Sequence, residues 1–319
     1  MDLISVIIPI DNTLEYTKQA MNSVINQTYK NMEIICIIDC NKDRTFGIIQ
    51  EFANIDSRIK IIHQERLGLS IARNAGLDVA KGDYIMYLDA DDWFEPDAVE
   101  SAYNSIKQNN ADVVCFGTHL VDYKEIRSED DPLQEFIELY NKEKKFTKKT
   151  LPLLCTVWHK IYKRDFLTRN NIKFPEQIKN SEDIYYCMLC LLNNAKIEML
   201  PKTLYNYRFE RCDSAINTVK STLTDYYKII TQLTSTKDFK KASLENKKLC
   251  LLKIIYRFNT QIKERNKTTC YSMLRYLEKH IPQNLLENCE SYNILKNKYD
   301  YSKIKRKITK FYGLNIKCK

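Results

Sequence analysis

The chain has 319 residues, 44% of them apolar and 29% charged, enough for one large domain or two smaller ones, each with its own core. Its aliphatic content excludes a disordered chain, and no stretch approaches the roughly 20 uncharged residues that a bilayer span requires. The net charge of +9 hides an asymmetry: residues 220–319 hold 23 Lys and Arg against 8 Asp and Glu (+15), whereas residues 1–219 hold 27 against 33 (−6).

The elements alternate from the start. Ile4-Ser5-Val6-Ile7-Ile8-Pro9 and Glu33-Ile34-Ile35-Cys36-Ile37-Ile38-Asp39 are short continuous apolar runs, the pattern of strands buried on both faces. Between them Ala20, Met21, Val24 and Ile25 mark one face of a helix over Tyr16–Tyr29. Next come a helix over Arg44–Asn54, a strand at Ile59–Ile62, a helix over Leu69–Ala80, a strand at Tyr84–Leu88 and a helix over Asp97–Gln108. This order predicts an α/β domain with a mostly parallel sheet, whose ligands bind beyond the carboxyl ends of the strands. Asp112–Gly117 reads as one more strand, and the highly charged residues 124–150 as an irregular insertion or lid. From about Thr222 the pattern is Lys- and Tyr-rich helix, with Pro282 and Gly313 as the only Pro and Gly. The expected divisions are 1–123, 124–219 and a basic helical region over 220–319.

Eleven cysteines follow no framework spacing. Asp2 leads directly into the first strand, where a signal peptide needs a basic start, so a cytoplasmic protein is expected. Cys187 and Cys190, within an apolar run, read as buried helical thiols rather than zinc ligands.

The sharpest feature is Leu88-Asp89-Ala90-Asp91-Asp92-Trp93. Three carboxylates at the end of a buried strand need neutralising, by a divalent cation or by basic side chains. A hard cation with oxygen ligands that bridges to a diphosphate meets that need. The competing reading is a helix cap by Asp92 or Asp97, which uses one acid and leaves the others unexplained. Asn180-Ser181-Glu182-Asp183 precedes the apolar segment Ile184–Leu192. Its acids lie at a helix N-terminus that favours their ionised form, with a capping box on Ser181 as the alternative.

Ser5-Val6-Ile7-Ile8-Pro9, Gln27-Thr28-Tyr29-Lys30-Asn31-Met32-Glu33-Ile34-Ile35, Gly68-Leu69-Ser70-Ile71-Ala72-Arg73-Asn74-Ala75-Gly76 and Leu88–Trp93 resemble, in order and spacing, the signature blocks of family 2 glycosyltransferases of the GT-A fold. The likeness continues through Val157–Arg164, Ser181-Glu182-Asp183 and Tyr205–Arg208 and stops before the basic region. The resemblance implies a sugar nucleotide, a UDP-sugar, as donor. Pro9 and Asp39 match the positions that hold the uracil, and Arg73 an arginine near the nucleotide. Asp89 and Asp91 match the DXD motif, Asp89 near ribose and metal and Asp91 as direct ligand of Mn²⁺ or Mg²⁺. Asp183 matches the acid of the ED motif, the catalytic base, with Glu182 beside it as second choice.

The implied reaction is an inverting displacement onto a glycan or lipid-linked glycan acceptor. Arg208 and Arg211 are candidates to close over the diphosphate by bidentate pairing, against a plain surface pair. Trp158 and Lys160 are expected to shape the acceptor side. Two departures concern donor choice: Ile38-Asp39-Cys40-Asn41 lacks an acid and a glycine of the usual block, and Asp11 stands where a tyrosine is common. The basic residues and aromatics of Ser302–Tyr312 suit peripheral contact with an anionic membrane, against a merely solvated helix face; nucleic acid is not expected, since no binding motif accompanies the charge. Rival functions are a catalytically silent sugar-nucleotide binder and a nucleotidyltransferase, the latter lacking the Gly-rich basic loop it needs.

Overall fold

The computed structural model describes the chain except residues 12, 40–44, 65–67, 123–125, 129–130, 148, 179, 210–222, 262–266, 288 and 300–319. It divides into two compact units, Met1–Lys220 and Ser221–Lys319.

The first unit is built on an eight-stranded sheet among the described residues, in the order β3-β2-β1-β4-β7-β6-β8-β5. β1 (Ile4–Ile10), β2 (Met32–Asp39), β3 (Ile59–Gln64) and β4 (Tyr84–Tyr87) are parallel neighbours. β1 and β4 are buried along their whole length, which is why they read as unbroken apolar runs rather than alternating ones. β7 (Lys160–Lys163) runs antiparallel to both β4 and β6 (Val113–Val121). β8 (Ile197–Arg208) lies parallel to β6, and the two-residue β5 (Trp93–Phe94) pairs antiparallel with β8.

Register decides what meets at the sheet edge. Ile7 pairs with Tyr87 and Ile10 with Ile38, so Pro9, the backbone of Asp39 and Asp89 arrive together at the carboxyl ends of β1, β2 and β4. The side chain of Asp39 lies outside the described residues.

The helices α1 (Leu14–Ile25), α2 (Thr45–Ile55), α3 (Leu69–Val79) and α4 (Ala98–Asn109) fall close to their predicted spans. The helix expected to run to Tyr29 stops at Ile25 because Gln27 turns into the core. Its amide donates to the carbonyls of Ser23 (2.9 Å) and Glu95 (2.7 Å), and its oxygen accepts from the Val99 N–H (2.9 Å). That fastens the segment after β4 to α1. Residues 124–150, expected to be an irregular insertion or lid, are not irregular throughout: they contain α5 (Gln134–Glu143), packed on β8 and β6. Ile137 and Tyr140, one turn apart and buried, supply its apolar face, and the Tyr140 hydroxyl donates to the Ile197 carbonyl (2.8 Å). The short α6 (Arg164–Arg169) and the apolar α7 (Glu182–Leu192) complete this unit.

The second unit contains α8 (Leu223–Ser235), α9 (Lys237–Lys241), α10 (Leu244–Gln261), α11 (Lys267–His280), α12 (Gln283–Leu286) and α13 (Glu290–Tyr299). Tyr226, Ile230, Leu251, Phe258 and Leu277 are buried in its core. The helices expected of this region are present. Ser302–Tyr312 lies outside the described residues.

Candidate active site

The site begins with a glycine. A Cβ on Gly76 would stand 2.4 Å from Ile7 Cγ2 and 2.9 Å from Ile37 Cδ1, so only glycine lets α3 lie this close to β1 and β2. One turn earlier on the same helix, Arg73 is thereby carried beneath the sheet edge, with 1% of its surface exposed.

There its guanidinium forks across two distant segments. Nη2 donates to Asp89 Oδ1 (2.8 Å), while Nη1 donates to Asp183 Oδ1 (2.5 Å) and Glu182 Oε1 (3.1 Å). Its carbon lies 5.3 Å from the centre of the Phe174 ring. Asn74 pins that ring's backbone from both sides, donating to the Phe174 carbonyl (2.9 Å) and accepting its N–H (2.8 Å).

Glu182 and Asp183 open α7, a helix whose remaining residues are all buried. Ser181, at φ 67°, makes no side-chain cap bond. The capping-box reading therefore fails, and the two acids of the first turn face Arg73 instead. The second oxygen of Asp183 accepts the Val157 N–H (3.2 Å), while its side chain keeps 15% exposure. Burial raises the Asp183 carboxyl above its usual range; Arg73 opposes the shift and Asp89 adds to it. Burial also pushes Glu182 up, to about 8, with Asp183 reinforcing the shift and Arg73 opposing it. A carboxylate raised toward neutrality and still reachable from solvent has the properties of a general base.

The three acids after β4 divide their tasks. Asp92 turns inward, 1% exposed, and accepts from the Tyr205 hydroxyl (2.8 Å) and the Arg208 N–H (2.8 Å). Burial, then the nearby Asp91 and Asp89, hold its carboxyl well above the usual range. Tyr205 also accepts the Asp89 N–H (3.3 Å), so one hydroxyl braces both ends of the turn. Neither Asp92 nor Asp97 caps α4: the Asp97 carboxylate receives Ser101 Oγ and Lys202 Nζ rather than a helix N–H. Asp89, with 24% side-chain exposure, and the half-buried Asp91 remain at the sheet edge.

Arg208 ends β8 and is 4% exposed, which excludes a surface pair. Its Nε donates to the Asp91 carbonyl (3.2 Å) and Nη2 to Gln19 Oε1 (2.6 Å), with its carbon 4.6 Å from the Tyr16 ring and 5.1 Å from that of Trp93. Arg211 lies outside the described residues. Trp158 stacks on Tyr207 (5.2 Å, 5°) and Tyr205 (4.4 Å, 24°), beside the Val157 amide that holds Asp183. Lys160 is buried, donating to the Thr156 carbonyl (2.5 Å) with its amine 2.6 Å from His159 Nε2. Burial, and then Lys160, lower the His159 pKa well below the usual range.

Residues 5–169 match the family model described as glycosyl transferase family 2. The chain belongs to that family. It is similar to the glycosyltransferase GlyA of Streptococcus pneumoniae (33% identity over 224 residues, 66% of this chain and 31% of that one). It is also similar to the putative glycosyltransferase EpsH of Bacillus subtilis (28% over 217 residues, 64% and 60%). The chain thus spans less than two thirds of the length of these relatives. Among solved structures, Staphylococcus aureus TarS 1–349 in complex with UDP-GlcNAc superposes with a TM-score of 0.72 at 20% identity, over 95% of this chain and 92% of that one. At that identity the likeness establishes the fold, GT-A, with helices following the sheet.

Family 2 membership raises the question of a divalent metal. Asp89 and Asp91 offer hard oxygen donors, and Asp89 Oδ1 is already committed to Arg73. Among the described residues no group of three or more His, Cys, Asp or Glu is placed to hold an ion. The donor set therefore fits a Mg²⁺ or Mn²⁺ that takes most of its ligands from a diphosphate and water, and not a closed protein cage. The sequence reading assigned no part to Tyr205 or to the Val157 amide. Tyr205 could have been noticed from its two-residue spacing with Tyr207 on one face of a strand; a backbone donor leaves no mark in the residue types.

Proposed function

We propose that the chain is an inverting glycosyltransferase that moves a sugar from a UDP-sugar to a hydroxyl of a glycan or lipid-linked glycan, with Asp183 as base. The carrying observation is the position of Asp183: a partly exposed carboxylate fixed by Arg73 and Val157, joined through one guanidinium to the first acid of the DXD segment. Asp183 takes the acceptor's hydroxyl proton while that oxygen forms a bond to the anomeric carbon. The bond from that carbon to the diphosphate oxygen breaks, and its electron pair leaves with UDP. Attack from the face opposite the leaving group inverts the centre.

Pro9, Asp39 and the edge of β1 and β2 receive the base of the nucleotide. Asp91, with Asp89, would hold the Mn²⁺ or Mg²⁺, which when bound offsets charge on the departing diphosphate. Arg208, fastened to the Asp91 carbonyl, keeps cationic charge beside that turn, and Arg211 follows it in sequence. Trp158, buried against Tyr205 and Tyr207, supports the acceptor side from beneath, next to the Val157 amide that holds Asp183. Lys160 contributes from behind that segment, through Thr156. UDP-GlcNAc is the first donor to try, since it is the ligand of the TarS complex.

The test is UDP release from a panel of UDP-sugars with Mn²⁺, with and without acceptor. Asp91→Ala should lose metal-dependent turnover, and undiminished turnover defeats the metal assignment. Asp183→Asn should still bind UDP and lose transfer; retained transfer moves the base to Glu182 or elsewhere.

The +15 of residues 220–319 supports peripheral contact with anionic lipid on the cytoplasmic face of a membrane. No helix among the described residues is long and apolar enough to cross one. Reversing the charges of Lys305, Arg306 and Lys307 should weaken binding to anionic liposomes, and unchanged binding removes the idea.

A further inference from the structure

We infer that Arg73 is a positioning residue for the base and not a ligand of the nucleotide: its guanidinium clamps Asp183 and Asp89 into one rigid unit. The inference rests on the glycosyl-transfer reading and assigns Arg73 a different task from the nucleotide contact its motif implies.

Three observations carry it. First, the guanidinium has no open edge. Only 1% of Arg73 is exposed; Nη1 donates to two carboxylates and Nη2 to a third, and the whole group is enclosed. Nε is enclosed without a partner among the described residues. A phosphate oxygen needs an accessible N–H, and here none is presented. Second, the partners lie 16 and 110 residues away in sequence. The arginine therefore joins the segment after β4 to the start of α7, the two places where the acids of the reaction sit. Among the described residues it is the one cation within ion-pair range of Asp89, Glu182 and Asp183 together. Third, the clamp is itself seated: the Phe174 ring supports the guanidinium, and Asn74, the next residue on α3, ties down the Phe174 backbone.

A flat fork can hold two carboxylates at a fixed separation, which a lysine ammonium on the same helix position cannot do. Arg73→Lys keeps the charge and removes the bridge. Loss of orientation at a base is a kcat effect; loss of a phosphate ligand is an affinity effect.

The experiment measures UDP affinity by calorimetry without divalent metal, so that a change at Asp89 as metal ligand is not read as a lost contact of Arg73, and kcat and KM for the UDP-sugar at saturating metal, in wild type, Arg73→Lys, Asp183→Asn and the double variant. Arg73→Lys should cut kcat about 100-fold, the scale of an ångström's misplacement, with KM and UDP affinity changed by less than about threefold. In the Asp183→Asn background, read on the residual turnover or UDP release that remains, the same change should cost less than about threefold more, because residues that act as a unit are not additive. UDP binding weakened about tenfold or more, or full additivity in the cycle, would overturn the inference.

Should Arg73→Lys fold poorly, Phe174→Leu loosens the seat without removing any of the hydrogen-bonding groups. It should show the same pattern at smaller size, and a raised KM with intact kcat counts against the clamp. If the wild type turns over no donor, the transfer reading falls. UDP affinity then decides for Arg73: equal binding by wild type and Arg73→Lys upholds its isolation from the nucleotide, and weakened binding ends it.

Discussion

Glu182→Gln tests the charge state of the site. In the fold, burial and the neighbouring Asp183 push the Glu182 pKa from an ordinary 4.5 to about 8, against the pull of Arg73. Between those values the folded chain holds a proton that the unfolded chain has released. Raising the pH therefore favours unfolding, and the stability present below about pH 4.5 is lost as the pH climbs toward the folded value. One proton gives a slope of about 1.4 kcal/mol per pH unit, so roughly 3 kcal/mol between about pH 5 and 7.5. That is a sizeable part of the roughly 5–15 kcal/mol of a typical domain. Glutamine resembles the protonated acid, and its carbonyl oxygen can accept from Arg73 as Glu182 does at 3.1 Å, so the variant removes the proton and keeps the bond. Urea unfolding at a series of pH values reads the difference. Both tryptophans, Trp93 and Trp158, lie in the unit that contains Glu182, so their fluorescence reports that unit. Asp92 is raised as well, but it is present in both proteins and cancels in the difference; Asp183 faces Glu182 across Arg73, so the difference reports the proton that the pair holds. The wild-type curve should fall away from that of Glu182→Gln as the pH rises. Parallel curves would mean that Glu182 is ionised in the fold and would refute the reasoning.

Three further outcomes follow from the geometry. Gly76→Ala forces a Cβ against Ile7 and Ile37 and should cost about 1–3 kcal/mol by overpacking, read as a lower Tm; because Arg73 rides on the same helix, kcat should fall too, and an unchanged Tm would mean that α3 can shift freely. Tyr205→Phe deletes the hydroxyl shared by Asp92 and the Asp89 N–H and should cost about 1–3 kcal/mol by leaving buried groups unpaired, measured by urea unfolding, with no loss arguing against the brace. The acid limb of kcat should lie above the ordinary carboxylate range, since burial raises Asp183; a rate constant down to pH 4 would show that another group takes the proton.

The sheet was legible because its central strands are buried on both faces and so leave largely apolar runs such as Ile4–Ile10 and residues 32–38. The helix α5 was not, because only one face of it is apolar and Glu135, Glu138, Lys142 and Glu143 interrupt its apolar residues within an already charged stretch. The residue types of the candidate site could be read from its motifs, while their division of labour could not. Asp89, Asp91 and Asp92 look alike in sequence, yet the turn sends Asp92 into the core against Tyr205 and leaves its neighbours at the edge. Likewise Ser181 ahead of Glu182 and Asp183 reads as a helix cap with acids that complement the dipole, and the positive φ of Ser181 forfeits the cap. What decided each case was a partner far away in sequence, on β8 for Asp92 and on α3 for Asp183.

The charge count of the cluster explains why such a distant partner is needed. Asp89, Glu182 and Asp183 surround a single guanidinium, and with Glu182 buried and the other two half-buried, three carboxylates around one cation do not all ionise without a desolvation penalty. Glu182, with 8% exposure, is the better enclosed acid of the α7 pair and carries the larger upward shift. Asp183 keeps solvent access, a backbone donor and the shortest bond to Arg73. Arginine and backbone amide favour the anion at Asp183, so the proton is better accommodated at Glu182. A neutral neighbour is thus a condition for Asp183 to serve as the proposed base, and removing Arg73 acts on both at once.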